Sequence, residues 1–373
     1  MPLLSLVIFC RLRLNPLPLM QVELKSPLPF TLQGLKSSIP AECFQSSAPL
    51  SIAYFIKDCT LIGGLYWLAH YLDSWFFYPL FWVLQGTLFW ALFVVGHDCG
   101  HQSFSRYTWL NNLIGHLAHT PILVPFHGWR ISHRTHHQNT GNIETDESWY
   151  PISESDYNAL PPYLKVIRYS FTLFLYPLYL FKRSPSRPEG SHFNPNSPLF
   201  KPAERTGVLV STIACILMVL LLVGLTVKWG IVWFLTYYFV PYIIFVMWLD
   251  LVTFLHHTDP EIPWYRGEDW NFLKGALSTI DRDYGWVNDI HHNIGTHVVH
   301  HLFSSIPHYH LLKATEAIKP VLGSYYRKGE VPILSAFKQS EATCYFVADA
   351  GSPVYYQAPN QNRSDSEGLG MGI

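Results

Sequence analysis

The stretch "WFFYPLFWVLQGTLFWALFVVGHDCGHQSFS", residues 75–105, runs from apolar sequence directly into a histidine motif. Residues 75–96 carry no charged side chain, and their length is close to the ~20 residues with which a helix crosses a bilayer. His97 and His101 follow four positions apart, and residues at that spacing share one face of a helix. The stretch therefore predicts a membrane-spanning helix with two converging imidazoles at its end.

The composition favours an all-α integral membrane protein. Only 14% of the 373 residues are charged, compared with roughly 25% in typical soluble domains. Aromatic residues make up 16%, with 13 Trp and 22 Tyr, side chains that suit the boundary between lipid and water. The net charge of -1 gives no indication of nucleic-acid binding. The six cysteines are scattered without a CxxC pair, which argues against a disulfide scaffold or a cysteine-rich zinc site.

Four apolar segments predict four transmembrane helices arranged as two hairpins, with spans at about 51–71, 75–96, 207–227 and 230–252. Lys57 and Asp58 make the first span imperfect, although charges near one end of a span can snorkel or pair. The turns within the hairpins carry almost no Arg or Lys, whereas the histidine-bearing side carries many. The positive-inside rule therefore places both termini and the histidines on the cytoplasmic side.

Three histidine boxes occur along the chain, and we expect each to aim its imidazoles in one direction. They are "HDCGH" with His97 and His101, "HRTHH" with His133, His136 and His137, and "HVVHH" with His297, His300 and His301. Eight imidazoles exceed the ligands of a single zinc, so two metals are expected. Oxygen ligands for calcium or magnesium are missing from the boxes, and the HExxH signature is absent. Imidazole alone does not choose between Zn, Cu, Fe and Ni.

Two further apolar stretches, 110–126 and 163–181, are ambiguous by composition. A single crossing by the second would put histidine boxes on opposite faces of the membrane and prevent a shared metal site. We therefore expect both stretches to form interfacial or re-entrant helices, beneath a cytoplasmic cap that carries the histidines.

The sequence resembles the membrane-bound fatty acid desaturases, and among them the ω-3 acyl-lipid desaturases of the cyanobacterial and plastid kind. The resemblance runs from about residue 32 to residue 356. It rests on the three boxes in order and on flanking strings such as "HGWRISHRTHHQNTGNIETDESWYP", "DLVTFLHHT", "PWYRGEDW" and "HHLFSSIPHYH".

This resemblance implies a di-iron centre with two iron ions per chain, held by the eight box histidines. It also implies a ninth histidine ligand, for which His257 is preferred over its neighbour His256, and His292 is a rival. Carboxylates of Asp98, Glu144, Asp146 and Glu147 are candidates to orient imidazole N–H groups around the irons; a solvated polar loop is the alternative for these acids.

The implied reaction uses O2 and two external electrons to place a cis double bond at the ω-3 position of an acyl chain, converting linoleoyl to linolenoyl in membrane glycerolipids. The implied donor is ferredoxin, with cytochrome b5 as the alternative. A Δ12 desaturase and a fatty acid hydroxylase on the same scaffold remain open, and so does a non-enzymatic membrane metal carrier.

The expected domain order is an N-terminal cytoplasmic segment at 1–50, the desaturase domain at 51–358 and a disordered tail at 359–373. Met20 is an alternative start. The implied location is the thylakoid or cytoplasmic membrane if the source is a cyanobacterium. The string "TIDRDYG", with Asp281, Arg282 and Asp283, is either a docking surface for the reductant or an internal salt-bridge cluster.

Overall fold

The computed structural model describes residues 27–183 and 187–359, and over these residues the protein is helical, with isolated β-bridges but no strand. The predicted all-α class is confirmed for this part of the chain. Met20, most of the predicted disordered tail and the first half of the 1–50 segment lie outside the described residues. The α-helices are α1 (Leu32–Ser38), α2 (Ala48–Leu72), α3 (Tyr78–Gly100), α4 (Thr108–His119), α5 (Phe126–Asn139), α6 (Glu154–Ala159), α7 (Pro162–Ser170), α8 (Tyr176–Phe181), α9 (Arg205–Trp229), α10 (Ile231–Phe234), α11 (Val240–His257), α12 (Phe272–Ala276), α13 (Val287–Ile290), α14 (His297–Leu302), α15 (His308–Leu322) and α16 (Ile333–Thr343).

Three helices in the described residues are long and apolar enough to cross a membrane: Tyr78–Gly100, Pro202–Trp229 and Ile231–His257. The second is α9 with a short 3-10 turn before it, and the third joins α10 to α11 through one π-helical turn, Leu235–Phe239. Most of α3 is buried inside the protein, whereas most of α9 is exposed. An exposed helix of such apolar composition is suited to contact with lipid rather than water.

The expected span at 51–71 falls within α2, which is long enough to cross but is not among these three helices. Lys57 and Asp58 lie in its middle, and they lower its hydropathy. Its outer face nevertheless exposes large apolar side chains, including Ile56, Leu61 and Trp67.

Prolines break the two ambiguous stretches into short pieces. The first changes direction after α4, where Pro121 and Pro125 separate α4 from α5. The second becomes α7, of nine residues, and α8, of six residues. Neither piece approaches the length that a membrane crossing needs, so the second stretch does not separate the histidine boxes by crossing alone.

The buried helix α3 packs against α11 through an apolar cluster that includes Phe89, Phe93, Phe245 and Leu249. The two helices approach closely at Gly86, because a Cβ built there would lie 2.6 Å from the side chain of Ile244. This close packing brings the histidine-bearing ends of α3 and α11 to the same end of the core.

Candidate metal centre

Five of the box histidines converge to form a first group. His97 is in the last turn of α3, His101 caps that helix, His133 and His137 lie on α5, and His300 lies on α14. One ring nitrogen from each lies within 4.8 Å of those of the other four. All three boxes therefore contribute to one site although they are far apart in the sequence.

A second group lies beside the first and contains His136 of α5, His257 at the end of α11 and His301 of α14, with ring nitrogens within 4.8 Å of one another. His297 joins this group: its Nε2 is 2.9 Å from Nε2 of His257 and 3.0 Å from Nε2 of His301. The structure thus brings together all eight box histidines and His257.

Each HxxHH box serves both groups. In the second box His133 and His137 point to the first group, while His136 points to the other. Successive residues of an α-helix are about 100° apart, so neighbours such as His136 and His137 leave the helix in different directions. The expectation that each box aims all its imidazoles one way is therefore wrong for the two HxxHH boxes.

The distances between the histidine nitrogens suit binding to a shared metal ion better than hydrogen bonding between the imidazoles. Nε2 of His300 faces Nε2 of His97 at 3.0 Å and Nε2 of His137 at 3.1 Å. One imidazole N–H can satisfy only one such contact, so a network of hydrogen bonds among these atoms is incomplete. Two nitrogens bound to one ion at about 2.05 Å, with a 90–109° angle between them, lie about 2.9–3.3 Å apart. The observed spacing matches that arrangement.

Outer hydrogen bonds set which ring nitrogen carries the hydrogen in two neutral imidazoles of the second group. Nδ1 of His136 lies 2.6 Å from Oδ1 of the buried Asp146. Nδ1 of His301 lies 3.0 Å from the hydroxyl of Thr140, which itself donates to the carbonyl of His136 at 2.7 Å. Both imidazoles must therefore donate from Nδ1, which leaves the Nε2 lone pairs free to bind a metal.

Burial favours the neutral form of three box imidazoles that lie outside the membrane-spanning helices. It lowers the pKa of His137, His300 and His301 well below the usual histidine range, because the charged form loses its hydration. Neighbouring imidazoles lower these pKa values further. A neutral imidazole is the form that binds a metal.

The four candidate outer carboxylates divide into two pairs. Asp146 holds His136, and Asp98 lies 3.5 Å from Nδ1 of His97 while accepting a hydrogen bond from Nδ1 of His308 at 2.9 Å. The other two contact no imidazole in the described residues: Glu147 pairs with Arg183, and Glu144 accepts from the backbone N–H of Gly267.

Two other histidines have hydrogen-bond partners outside both groups. His292, the rival ninth ligand, lies outside the groups with its Nε2 2.6 Å from Oδ2 of Asp58. Nδ1 of His256 donates to the carbonyl of Ile280 at 2.5 Å. The structure therefore separates His257 from both of its rivals.

Asp281 is a positioning residue that the sequence did not single out for this role. It is buried, and its carboxylate accepts hydrogen bonds from the N–H of Val298 at 2.7 Å and from the hydroxyl of Tyr326 at 2.6 Å. It thereby caps the first turn of α14, which carries the third box. Arg282 is buried and pairs with Asp259 at 2.7 Å. These two residues form internal contacts, so the docking-surface alternative is wrong for them.

A cavity of about 200 Å³ opens onto both histidine groups. It contacts His97 and His133 of the first group, and His136, His257 and His297 of the second. Most of the remaining wall is aromatic and aliphatic, with side chains that include Trp90, Phe93, Val94, Trp129, Trp149, Leu249, Val252, Phe254 and Ile294, and its charged members are Arg168, Asp250 and Glu341. Such a space is suited to an apolar chain that reaches the histidines.

The sequence pattern of the fatty acid desaturase family matches residues 73–328. An sn-1 acyl-lipid omega-3 desaturase (ferredoxin) of Nostoc sp. (strain 36) is 63% identical over 93% of this chain and 97% of its own length. The protein of the same description from Synechocystis sp. is 61% identical over 91% of this chain and 98% of its own length. A temperature-sensitive sn-2 acyl-lipid omega-3 desaturase (ferredoxin) of Arabidopsis thaliana chloroplasts is 51% identical, over 89% of this chain and 79% of its own length. On these similarities and on its histidine boxes, the chain belongs to the fatty acid desaturase family.

Proposed function

We propose that this protein inserts a cis double bond at the ω-3 position of linoleoyl chains esterified in membrane glycerolipids, using two iron ions, O2 and electrons from ferredoxin. The observation that carries the proposal is the convergence of nine imidazoles into two groups, both of which border one mainly apolar cavity. The names of the Nostoc and Synechocystis relatives support both the ω-3 position and the acyl-lipid substrate.

The proposed iron ligands are the nine convergent histidines. One iron is held by His97, His101, His133, His137 and His300, and the other by His136, His257, His297 and His301. When bound, the irons supply the O2 activation and C–H cleavage that no amino-acid side chain can perform on an alkane.

The protein itself binds and orients the acyl chain. Trp90, Phe93 and Leu249 are buried residues of α3 and α11 that line the cavity. They exclude water and restrict the chain, so one pair of neighbouring carbons is held at the histidines. Positioning of this kind supplies a large part of the rate in such reactions.

The position of the histidines argues against a metal carrier. A carrier is expected to place its ionisable residues near the membrane midplane. Here His97 and His257 occupy the last turns of two candidate spans, α3 and α11, and the remaining histidines of the groups lie beyond them. This arrangement supports an enzyme that works at the membrane surface.

Ferredoxin is the proposed electron donor because the two cyanobacterial relatives and the Arabidopsis protein carry ferredoxin in their names. Cytochrome b5 is the alternative donor. A basic surface supports an acidic protein partner. Arg134 follows the partly exposed His133 and pairs with Glu204, next to the exposed Lys201 and Arg205. Charge complementarity at such a surface accelerates and orients docking.

We further propose that α2 is the fourth span, which completes two hairpins below a cytoplasmic histidine cap. Asp58 is buried and paired with His292 and Lys57, so its charge does not face lipid. The proposed desaturase domain covers residues 51–358, with both termini on the cytoplasmic side of a thylakoid or cytoplasmic membrane. α4, α7 and α8 are proposed to lie at the interface.

The test is lipid analysis in a host that supplies linoleate and expresses ferredoxin and its reductase. New ω-3 trienoic acid in the glycerolipids is expected with the wild-type chain and not with His136→Ala. A hydroxy acid, a new bond at another position or unchanged lipids would contradict the proposal. Purified protein should contain about two irons per chain, and a single zinc would contradict the metal assignment.

A further inference from the structure

Helix α7 is amphipathic, but its apolar face is exposed, whereas a helix at a water-facing surface buries its apolar face. Its exposed positions include Tyr163, Val166 and Ile167, and the apolar exposure continues at Phe171 just after the helix. Of its two basic side chains, Lys165 and Arg168, only Arg168 lines the cavity that reaches the histidines, and it is partly exposed. The outer face of α7 therefore suits contact with lipid, whereas its inner face presents a cation to the cavity.

In the part of the chain that the structure describes, the cation of Arg168 has no acidic partner, since no carboxylate lies within ion-pair distance of its guanidinium. Its guanidinium carbon lies 5.8 Å from the ring centroid of the neighbouring Tyr169. A guanidinium carries five N–H donors, so donors remain for a ligand in the cavity beyond the one that contacts the Tyr169 hydroxyl.

Further polar side chains line the cavity beside Arg168. Tyr169 donates a hydrogen bond to the carbonyl of Tyr345 at 2.8 Å, and both residues line the cavity with Glu341. All three are partly exposed, in contrast to the buried Trp90 and Phe93. Burial raises the pKa of the Glu341 carboxyl.

We propose that Arg168 binds the ester carbonyl of the glycerolipid whose acyl chain fills the cavity. The first polar group after an acyl chain is this carbonyl oxygen, which accepts hydrogen bonds but carries no formal charge. A guanidinium in the cavity wall donates to it without requiring a particular headgroup. The inference rests on the proposed function only in taking a glycerolipid acyl chain as the occupant of the cavity.

The test compares ester and ether lipids, which differ at the carbonyl and keep the same chains and headgroup. Detergent-solubilised full-length protein is mixed with equal amounts of dilinoleoyl phosphatidylcholine and its di-O-linoleyl ether analogue, and native mass spectrometry measures the ratio bound. We expect the wild type to favour the ester by roughly fivefold, the effect of one partly exposed charge-assisted contact. Arg168→Gln should reduce the ratio to about one, and Arg168→Lys should retain part of it.

The matched control is Lys165→Gln, which removes a cation from the same helix at a position that does not line the cavity. It should leave the ester preference unchanged. An equal affinity of the wild type for ester and ether, or an unchanged ratio in Arg168→Gln, would overturn the proposal. A preference that follows the headgroup, seen with phosphatidylglycerol in place of phosphatidylcholine, would also overturn it. Because binding is measured without turnover, a failure to desaturate would contradict only the proposed function.

Discussion

Replacing Asp146 with asparagine should weaken metal binding at the second histidine group. Oδ1 of Asp146 accepts from Nδ1 of His136 at 2.6 Å, and Oδ2 accepts from the N–H of Gly141 at 3.2 Å. Asparagine has one acceptor oxygen, so it cannot serve both donors, and its NH2 group faces one of the N–H groups. His136 loses its negatively charged partner in either orientation of the amide, and either His136 or the N–H of Gly141 also loses its acceptor.

The expected loss is about 10–100-fold in metal affinity or activity, the usual effect of removing an outer partner of a metal-bound histidine. This corresponds to about 1.4–2.7 kcal/mol. The assay is iron content per chain after dialysis against a graded series of chelator concentrations, followed by desaturation with reduced ferredoxin. Thermal unfolding of the same samples separates a loss of iron affinity from a loss of fold.

The matched control is Glu144→Gln in the same loop, since Glu144 accepts from the backbone of Gly267 and contacts no imidazole. This variant should keep wild-type iron content. If Asp146→Asn also kept wild-type iron affinity and activity, the carboxylate would not tune His136, and the role argued here for the 2.6 Å contact would be refuted.

Three further outcomes follow from the geometry. His257→Ala should lower iron content from about two per chain towards one, whereas His256→Ala, whose ring nitrogens contact Ile280 and Tyr284, should keep both irons; elemental analysis distinguishes these results. Asp281→Ala leaves the N–H of Val298 and the hydroxyl of Tyr326 unpaired, so it should lower the free energy of unfolding by about 1–3 kcal/mol; chemical denaturation measures this, and the exposed Asp283→Ala should change it little. Arg205→Glu should slow ferredoxin-driven turnover, and raising the ionic strength should slow the wild type in the same way; turnover driven by a small chemical reductant that is insensitive to both changes is the control.

Local spacing predicted the histidines that converge because HxxxH and HxxHH repeat at the pitch of a helix. Helix geometry also predicts that the histidines of each HxxHH box divide between the two groups, because adjacent residues such as His300 and His301 leave a helix about 100° apart. Applying the angular difference between neighbours, and not only the i, i+4 coincidence, would have predicted that His300 and His301 serve different groups.

The pairing of Asp58 with His292 depends on contacts between distant parts of the chain, so spacing could not reveal it. The sequence offered one signal, because an acid within an apolar segment requires a partner. The partner is the buried His292, 234 positions away. Its short distance from the third box also made it a candidate metal ligand. Only the packing of α2 against the loop before α14 decides between these roles.

Only three described helices qualify as spans by length and composition, because composition does not show which charged side chains are paired with distant residues. Composition treats Lys57 and Asp58 as charges exposed to lipid, whereas the structure buries the Asp58 carboxylate against His292. Prolines at 121, 125, 162 and 177 were visible in the sequence and could have predicted that the two ambiguous stretches divide into short helices.

The relative position of the two histidine groups is set by two helices, α5 and α14, that carry ligands of both groups. α5 and α14 each supply neighbouring histidines to different groups, and the ring centroids of both neighbouring pairs, His136–His137 and His300–His301, lie 5.7 Å apart. Because adjacent residues on a helix cannot rotate independently about its axis, the spacing between the groups is set twice by backbone geometry. In the described residues no carboxylate joins the two groups, so this spacing does not depend on a shared acidic ligand. A change that shifts the register of α14, which Asp281 caps, must therefore move ligands of both groups together.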